Sequence, residues 1–290
     1  MISQITDTFA TWQDNLRFLR IRRKYKITPQ GGRTLLTLLF TPDHPVPSSI
    51  VHKLCALNGF SIISNQNRKY DLVFRYRDAT FYDKSVEGVP DDAPMINRNA
   101  TDISKKNVDR IFSEVFGYSL ILDPTTHRGK AVEKSDANAQ HDGRVIQCPI
   151  PESSIHPDCV YQRIINNSVW DNQVRDLRVV VHGDQIPLVY QKYRPVKTRF
   201  SNTNTHVELG EPSNLFSEDE LEKTCQFAKV LGLDYGELDV LRDKDSGLIY
   251  IVDANLTPWG PPNGLSFSDQ KKALVKLILS FRGLIEQHIN

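Results

Sequence analysis

Cysteine is sparse in this 290-residue chain: Cys55, Cys148, Cys159 and Cys225 stand apart with no C-x-x-C spacing. That spacing argues against a disulfide framework or a thiolate zinc site, and the four read as reduced thiols. The formal net charge is only +1, so bulk charge gives no reason to expect nucleic acid as a partner. No apolar run reaches membrane-spanning length and no signal-peptide core opens the chain, so no membrane partner is expected. A G-x-G-x-x-G loop is missing as well, which removes the dinucleotide fingerprint. Internal repeats and low-complexity tracts are absent. What remains is an ordinary globular composition, 39% hydrophobic and 24% charged, long enough for one large or two modest domains. A cytoplasmic location is the expectation.

Residues 3 to 26 read as an amphipathic helix. Ile5, Phe9, Trp12, Leu16 and Leu19 recur at three- and four-residue steps, and a basic run from Arg17 to Lys26 follows. It could lie on a membrane surface, but a helix docked on the body or on a second subunit is preferred, which makes a homodimer possible. Arg33 to Phe40, Ser61 to Ser64 and Asp71 to Tyr76 read as strands. Ser48 to Leu57 is a capped helix between the first two, stopped by Gly59. Strand, helix, strand, strand suggests a small open α/β unit.

A second helix, opened by Asp102 or Ser104, carries Val108, Ile111, Phe112, Val115 and Phe116 on one stripe. Short strands are expected at Leu120 to Leu122, Ala131 to Lys134, Val145 to Cys148 and Val160 to Ile165. The small, polar Ser135 to Arg144 reads as a mobile loop. Leu177 to Val181 and Ile186 to Tyr190 form a hairpin about His182-Gly183-Asp184-Gln185, and a long polar segment, Lys197 to Ser213, comes after. The helix Ser217 to Leu231 has a capping box and ends at Gly232, and a last helix runs from Ser268 to about Ile289.

The most informative pair of strands is Leu238 to Arg242 and Leu248 to Asn255, joined by Asp243-Lys244-Asp245-Ser246-Gly247. With Arg242 opposite Leu248, Asp239 falls opposite Ile251 and diagonal to Asp253. Alternation then puts Asp239, Asp253 and Asn255 on one face. Oxygen ligands without His or Cys favour Mg²⁺, which commonly takes phosphates as its other ligands. The plain alternative is that Asp253 and Asn255 only begin the turn Asn255-Leu256-Thr257-Pro258. Basic residues precede this hairpin in order: Lys105 and Lys106 at a helix start, Lys134 before the loop, Arg178 in a strand, then Lys192 and Arg194. A polyphosphate needs such positive charge distributed over several elements.

The segments Val132-Glu133-Lys134, Val160 to Ile165, Arg175-Asp176-Leu177-Arg178, Ala228 to Asp234, Leu238-Asp239-Val240 and Ile251 to Pro258 come in an order that resembles the ATP-grasp superfamily, in its ribosomal-S6-modification and glutathione-synthetase-like branch. The resemblance covers roughly residues 97 to 265. It implies an α+β fold whose two subdomains clasp ATP, preceded by a small open α/β domain. The boundaries would be an N-terminal helix over 1–27, the α/β domain over 28–96, a lid subdomain over 97–165 and a Mg²⁺-binding subdomain over 166–290. It implies further that Lys134, with Lys105 or Lys106, holds ATP phosphates, with Lys192 and Asp239 also at the nucleotide. Gln162, Arg163, Ile164 and Ile165 would form the hinge at adenine, and Arg178 and Arg194 would meet the γ-phosphate or an acyl phosphate. Asp239, Asp253 and Asn255 would bind Mg²⁺, and Ser135 to Arg144 would be the lid. Departures are Asp253 where the family usually has Glu, a glycine-poor lid with His141-Asp142-Gly143, Arg163 in the hinge, and Trp259-Gly260-Pro261-Pro262 after Pro258.

The implied activity is an ATP-dependent ligase joining a small-molecule or peptide carboxylate to an amine or thiol. A kinase acting on a hydroxyl and an ATP-binding protein without turnover are the alternatives. Acceptor contacts are sought in Arg98 and in Arg199 to Glu208, including Asn202, Asn204 and His206, a segment that reads equally as a surface loop. His141 and His182 are read as loop or turn residues and carry no role. Cys148 and Cys225 are apolar fillers.

Overall fold

The first strand, β1 (Thr37–Pro42), is buried along most of its length, as a central parallel strand must be. It pairs in parallel with β2 (Ser61–Ile63) and β3 (Leu72–Tyr76), and β4 (Met95–Ile96) adds to β3, giving the order β2-β1-β3-β4. This computed structural model describes residues 36–289 except 139, 141, 171 and 202, so the helix expected over 3–26 lies outside the described residues. Leu38, Phe40 and Phe74 face helix α1 (Ile50–Asn58), while Leu39, Val73 and Met95 face the opposite side. Ser49, not Ser48, caps α1, because its hydroxyl accepts from the His52 N–H. Gly59 closes the helix at φ 76°.

After this unit, α2 (Lys105–Phe116) is capped by Ser104. A three-stranded antiparallel sheet follows, β5 (Gly129–Ser135) between β6 (Arg144–Cys148) and β7 (Cys159–Arg163). The strand expected at Leu120 to Leu122 shrinks to a bridge between Ile121 and Gln162. The larger sheet is antiparallel throughout, in the order β10-β9-β8-β11-β12. Its strands are β8 (Gln173–His182), β9 (Val189–Pro195), β10 (His206–Gly210), β11 (Tyr235–Arg242) and β12 (Ile249–Asn255). A short α3 (Pro212–Leu215) and then α4 (Glu218–Leu231) connect β10 to β11. Strand β10 falls inside the segment read as a polar loop; its polar and apolar residues alternate, as on a half-buried edge strand.

The two faces of the large sheet have different work. Leu177, Val179, Leu238 and Val240 point to the back, where Val108, Ile111 and Phe112 of α2 meet Phe227 and Leu231 of α4. Helix α2 belongs by sequence to the lid segment, yet its apolar stripe packs on this back face. The front face holds the charged residues at one end. At the other, Val180, Tyr190 and Tyr235 pack against the last helix, α5 (Phe267–Ile289), through Leu277 and Phe281. The same α5 residues cover the β1–β3 sheet, so one helix ties the N-terminal unit to the large sheet. No described helix is long and apolar enough to cross a membrane.

The junction also relies on a close backbone approach. Asn97 donates from its side chain to the Tyr235 carbonyl at 2.8 Å and accepts from the Asp234 and Tyr235 N–H groups. Gly232 sits beside it at φ 77°, where an added Cβ would fall 2.4 Å from the Asn99 carbonyl carbon and 2.7 Å from the Ala100 nitrogen. Both the left-handed φ and the backbone contact exclude a side chain. Gly232→Ala is therefore expected to lose about 2–4 kcal/mol of stability, measured as a lower urea midpoint at unchanged slope. An unchanged midpoint would show that the junction yields freely.

Candidate functional site

The three-stranded sheet and the front face of the large sheet enclose a cleft of about 910 Å³. Of the residues singled out for the nucleotide and Mg²⁺, all line it except Ile164 and Lys106. Strand geometry explains the convergence. Arg178 on β8 stands opposite Asp239 on β11 and opposite Tyr190 on β9, and Asp176 stands opposite Lys192. Side chains two apart share a face, so Asp176 and Arg178, Lys192 and Arg194, and Glu237 and Asp239 all rise on the cleft side.

The acidic hairpin forms with a different register from the expected one. Arg242 pairs with Ile249, and a bulge at Val252 brings Asp239 opposite Asp253 and Glu237 opposite Asn255. The connection is longer than a two-residue turn because Asp243 accepts from the Ser246 N–H and hydroxyl, and Gly247 follows at φ 75°. The expected shared face survives, with Glu237 added to it. Glu237 escaped the sequence reading because the strand was started at Leu238. Extending it to Tyr235 and applying the same alternation finds it.

Charge pairing on this floor is dense. Arg178 donates through Nε and Nη2 to the two Asp239 oxygens at 3.0 and 2.9 Å, and its Nη1 lies 3.4 Å from Glu237 Oε2. Lys192 donates to Asp239 Oδ1 at 3.0 Å. Burial acts to raise the Asp239 carboxyl, but Arg178 and Lys192 hold it well below the usual carboxylate range. Burial pushes Glu237 up to about 7 against the pull of Arg178. The Asp253 carboxyl is raised by burial, with Lys105 and Lys134 pulling the other way, and its buried Oδ1 has no hydrogen-bond partner. Burial lowers Lys134 to about 8; its Nζ approaches the Val252 carbonyl at 3.5 Å.

Asp239 is thus paired with cations, and Asn255 Oδ1 accepts from the Thr257 N–H at 2.9 Å, which is the turn role weighed above. No cluster of three or more His, Cys, Asp or Glu side chains disposed to hold a metal ion occurs among the described residues. Of the three oxygen side chains chosen for Mg²⁺, Asp253 is the one whose electrostatics call for a cation.

Around the floor, the other expected residues divide. Lys105 donates to the Ala137 carbonyl at 2.6 Å, and Asn138 donates to Thr80 and to the Ala254 carbonyl, so the turn after β5 lies against the cleft. Lys106 is half-exposed and donates to the Pro157 carbonyl, outside the cleft. Gln162 is buried at the end of β7, and Leu120, Val132, Ile165, Leu241 and Val252 add an apolar slot. The Ile165 carbonyl accepts from Arg199 at 2.7 Å. Arg194 is 5% exposed, with Nη2 on Asp176 at 2.6 Å and Nη1 on the Ser201 and Arg199 carbonyls. Its guanidinium therefore braces the following loop, leaving only Nε unpartnered. That loop brings Arg199, Phe200, Thr203 and Asn204 to the cleft wall. Asn202 lies outside the described residues, as does His141. Arg98 instead donates to the Ala93 carbonyl and is not in the wall, and His206 pairs with Glu208 on β10. His182 is no solvated turn residue: it is 2% exposed, stacked on Tyr235, bonded to Ser280, and lowered to about 3 by burial. Cys148 is buried as a filler, whereas Cys225 is half-buried with Sγ on the Asp184 carbonyl.

No family model matches the chain, and no curated protein matches it either. Solved structures do. The ATP-grasp ligase PsnB complexed with a minimal precursor is 15% identical with a TM-score of 0.55, covering 88% of this chain and 100% of that one. PsnB complexed with minimal precursor, Mg and ADP is 14% identical with a TM-score of 0.55, covering 89% and 100%. A D-alanine–D-alanine ligase from Bacillus anthracis complexed with ATP is 12% identical with a TM-score of 0.50, covering 87% and 99%. At such identities the likeness is one of fold. The chain has the ATP-grasp fold, α+β lobes about a cleft, as the resemblance in its sequence implied.

Lys134 offers a test that needs no ligand. A buried ammonium with a lowered pKa costs stability while it is charged. Between pH 8 and its unfolded value the unfolded chain binds more protons, so this group makes stability rise with pH across that window. Lys134→Met is expected to raise Tm at pH 7 by about 2–4 °C and to remove that part of the rise. A lower Tm would mean that the lysine is already well paired.

Proposed function

We propose that the protein is an ATP- and Mg²⁺-dependent ligase that activates a carboxylate as an acyl phosphate and couples it to an amine or thiol. The observation that carries this reading is the unpartnered, buried Asp253 Oδ1 on a floor that also presents Lys105, Lys134, Arg178 and Lys192. Such a floor suits a polyphosphate accompanied by a divalent cation. The PsnB complex with Mg and ADP, on the same fold, supports it.

The side chains have separable tasks. The apolar slot at Leu120, Val132 and Ile165, with Gln162 at its edge, would take the base. Lys105 and Lys134 would bind phosphate oxygens, Lys105 leaving the Ala137 carbonyl to do so. Asp253 and Asn255 would hold Mg²⁺, joined by Asp239 once phosphate draws Arg178 and Lys192 away from it. That ion would supply charge neutralisation at the transferred phosphate. Arg178 would orient the γ-phosphate and steady charge on the oxygens as it transfers. Arg194 acts one step back, keeping the Arg199–Asn204 wall in place, and this wall would face the substrates. The lid turn over the cleft excludes water, which guards an acyl phosphate from hydrolysis. A precursor accompanies PsnB in its complexes, so peptides stand beside small molecules as acceptors to screen.

The test is thermal unfolding with a non-hydrolysable ATP analogue and Mg²⁺, on wild type and on Asp253→Ala. Nucleotide at a hundredfold over Kd should stabilise wild type by about 2.7 kcal/mol, or roughly 5–10 °C. The Asp253→Ala shift should lose its Mg²⁺ dependence. No shift at any nucleotide concentration rejects the reading. With binding in hand, product assays decide the chemistry: phosphate plus an amide or thioester for the ligase, a stable phosphoester for a kinase, neither for a protein without turnover.

A further inference from the structure

Glu237 is a buried acid that the proposed chemistry leaves unused. It is 4% exposed, sits on the central strand β11, and has Oε2 without a hydrogen-bond partner. Its nearest charge is Arg178, whose Nη1 is 3.4 Å away. The two carboxylates divide the guanidinium between them, since Nε and Nη2 both go to Asp239. Glu237 is on the same face as Asp239 but does not line the open cleft, lying instead beside Tyr190, Val180 and Tyr235 at the junction with the N-terminal unit. Tyr190 is the β9 neighbour of Arg178, and its hydroxyl is likewise buried without a partner.

We infer that Glu237 is a positioning residue for Arg178, the anchor that fixes the guanidinium from below while its other two nitrogens exchange Asp239 for substrate oxygens. This rests on the ATP-dependent reading of the cleft. The two anchors differ in what they can do. Asp239 faces the cleft and would be recruited when a metal ion and phosphate arrive. Glu237 is out of reach of either, so its hold on Nη1 persists through that exchange. Without it, Arg178 keeps its attachment to the strand but its head group can swing, and an arginine that swings loses the preorganisation on which γ-phosphate recognition depends. Pairing from one side only also leaves Nε and Nη2 free to present a fork to two phosphate oxygens.

The inference predicts a selective defect. Arg178 is aimed at the terminal phosphate, so losing its anchor should harm nucleotides that carry a γ-phosphate and spare those that do not. Calorimetric titrations with Mg²⁺ would compare ADP and AMPPNP on wild type, Glu237→Gln, Glu237→Met and Arg178→Lys. Glu237→Met should weaken AMPPNP binding by about tenfold while ADP changes less than twofold. Glu237→Gln, which retains an acceptor for Nη1, should recover part of the loss. In the Arg178→Lys background Glu237→Met should add little. A merely structural role would lower Tm without altering the AMPPNP-to-ADP ratio, and that outcome overturns the inference. So does an equal loss for both nucleotides. If wild type binds neither nucleotide, the ATP reading itself fails and takes this inference with it, whereas wild-type binding with an unmoved ratio sinks this inference alone.

Discussion

The interaction on which the cleft is built is the four-way ion cluster of Arg178, Lys192, Asp239 and Glu237 on adjacent central strands. Burying charge is costly unless each charge has a partner of good geometry. Here the sheet register supplies the partners. Asp239 and Glu237 on β11 meet Arg178 on the adjacent β8, and Asp239 also takes Lys192 from β9 on the far side of β8. A one-residue slip of any of these strands would turn its charged set to the back face, among Val108, Phe112 and Phe227, and its apolar set into the cleft. The cluster and the hydrophobic back face therefore specify the same register, which is why a floor so expensive in desolvation can sit in a unique place.

The floor would be of little use without walls held at fixed distances from it. Two polar devices hold them, and they meet. On one side, Arg194 and Arg199 join Asp176, Asn167 and the Ile165 carbonyl into a closed ring that ties the end of β7 to the loop after β9. On the other, Lys105, Asn138 and Thr80 latch the turn after β5. Between them Gly143 lies against the Phe200 ring, where a Cβ would come within 3.2 Å of it.

Much of this was legible in the sequence, for physical reasons. Long periodic helices such as α4, with its capping box, and runs such as Leu177 to Val181 announce themselves because burial imposes a period. The shared face of Asp239 and Asp253 was reached by alternation in a register the hairpin does not adopt; in the observed register it depends on the bulge at Val252. What was not legible depends on partners distant in the chain. Strand β10 has an edge strand's polar alternation and is a strand only because Tyr190 and Lys192 lie beside it. The structural use of Arg194 could not be told from a phosphate-binding use, since both call for a basic residue on the cleft face. His182 was misjudged because a His-Gly turn signal says nothing of the helix α5 that later covers it.

The bulge at Val252 shows how such non-local effects reach the chemistry. A bulge leaves its extra residue outside the ladder and bends the strand. Here it does two things at once. It brings Asp253 directly opposite Asp239 across the hairpin. It also turns the Val252 carbonyl toward Lys134 on the facing sheet. A carbonyl at 3.5 Å is a weak partner for an ammonium, and Asp253 next to it keeps an oxygen unsatisfied. Cation and anion thus stand near one another on opposite sides of the cleft, each incompletely paired. Full pairing would stabilise the protein and close the gap. Leaving it open keeps in place, between two sheets, the electrostatic demand that a ligand carrying both signs of charge can meet.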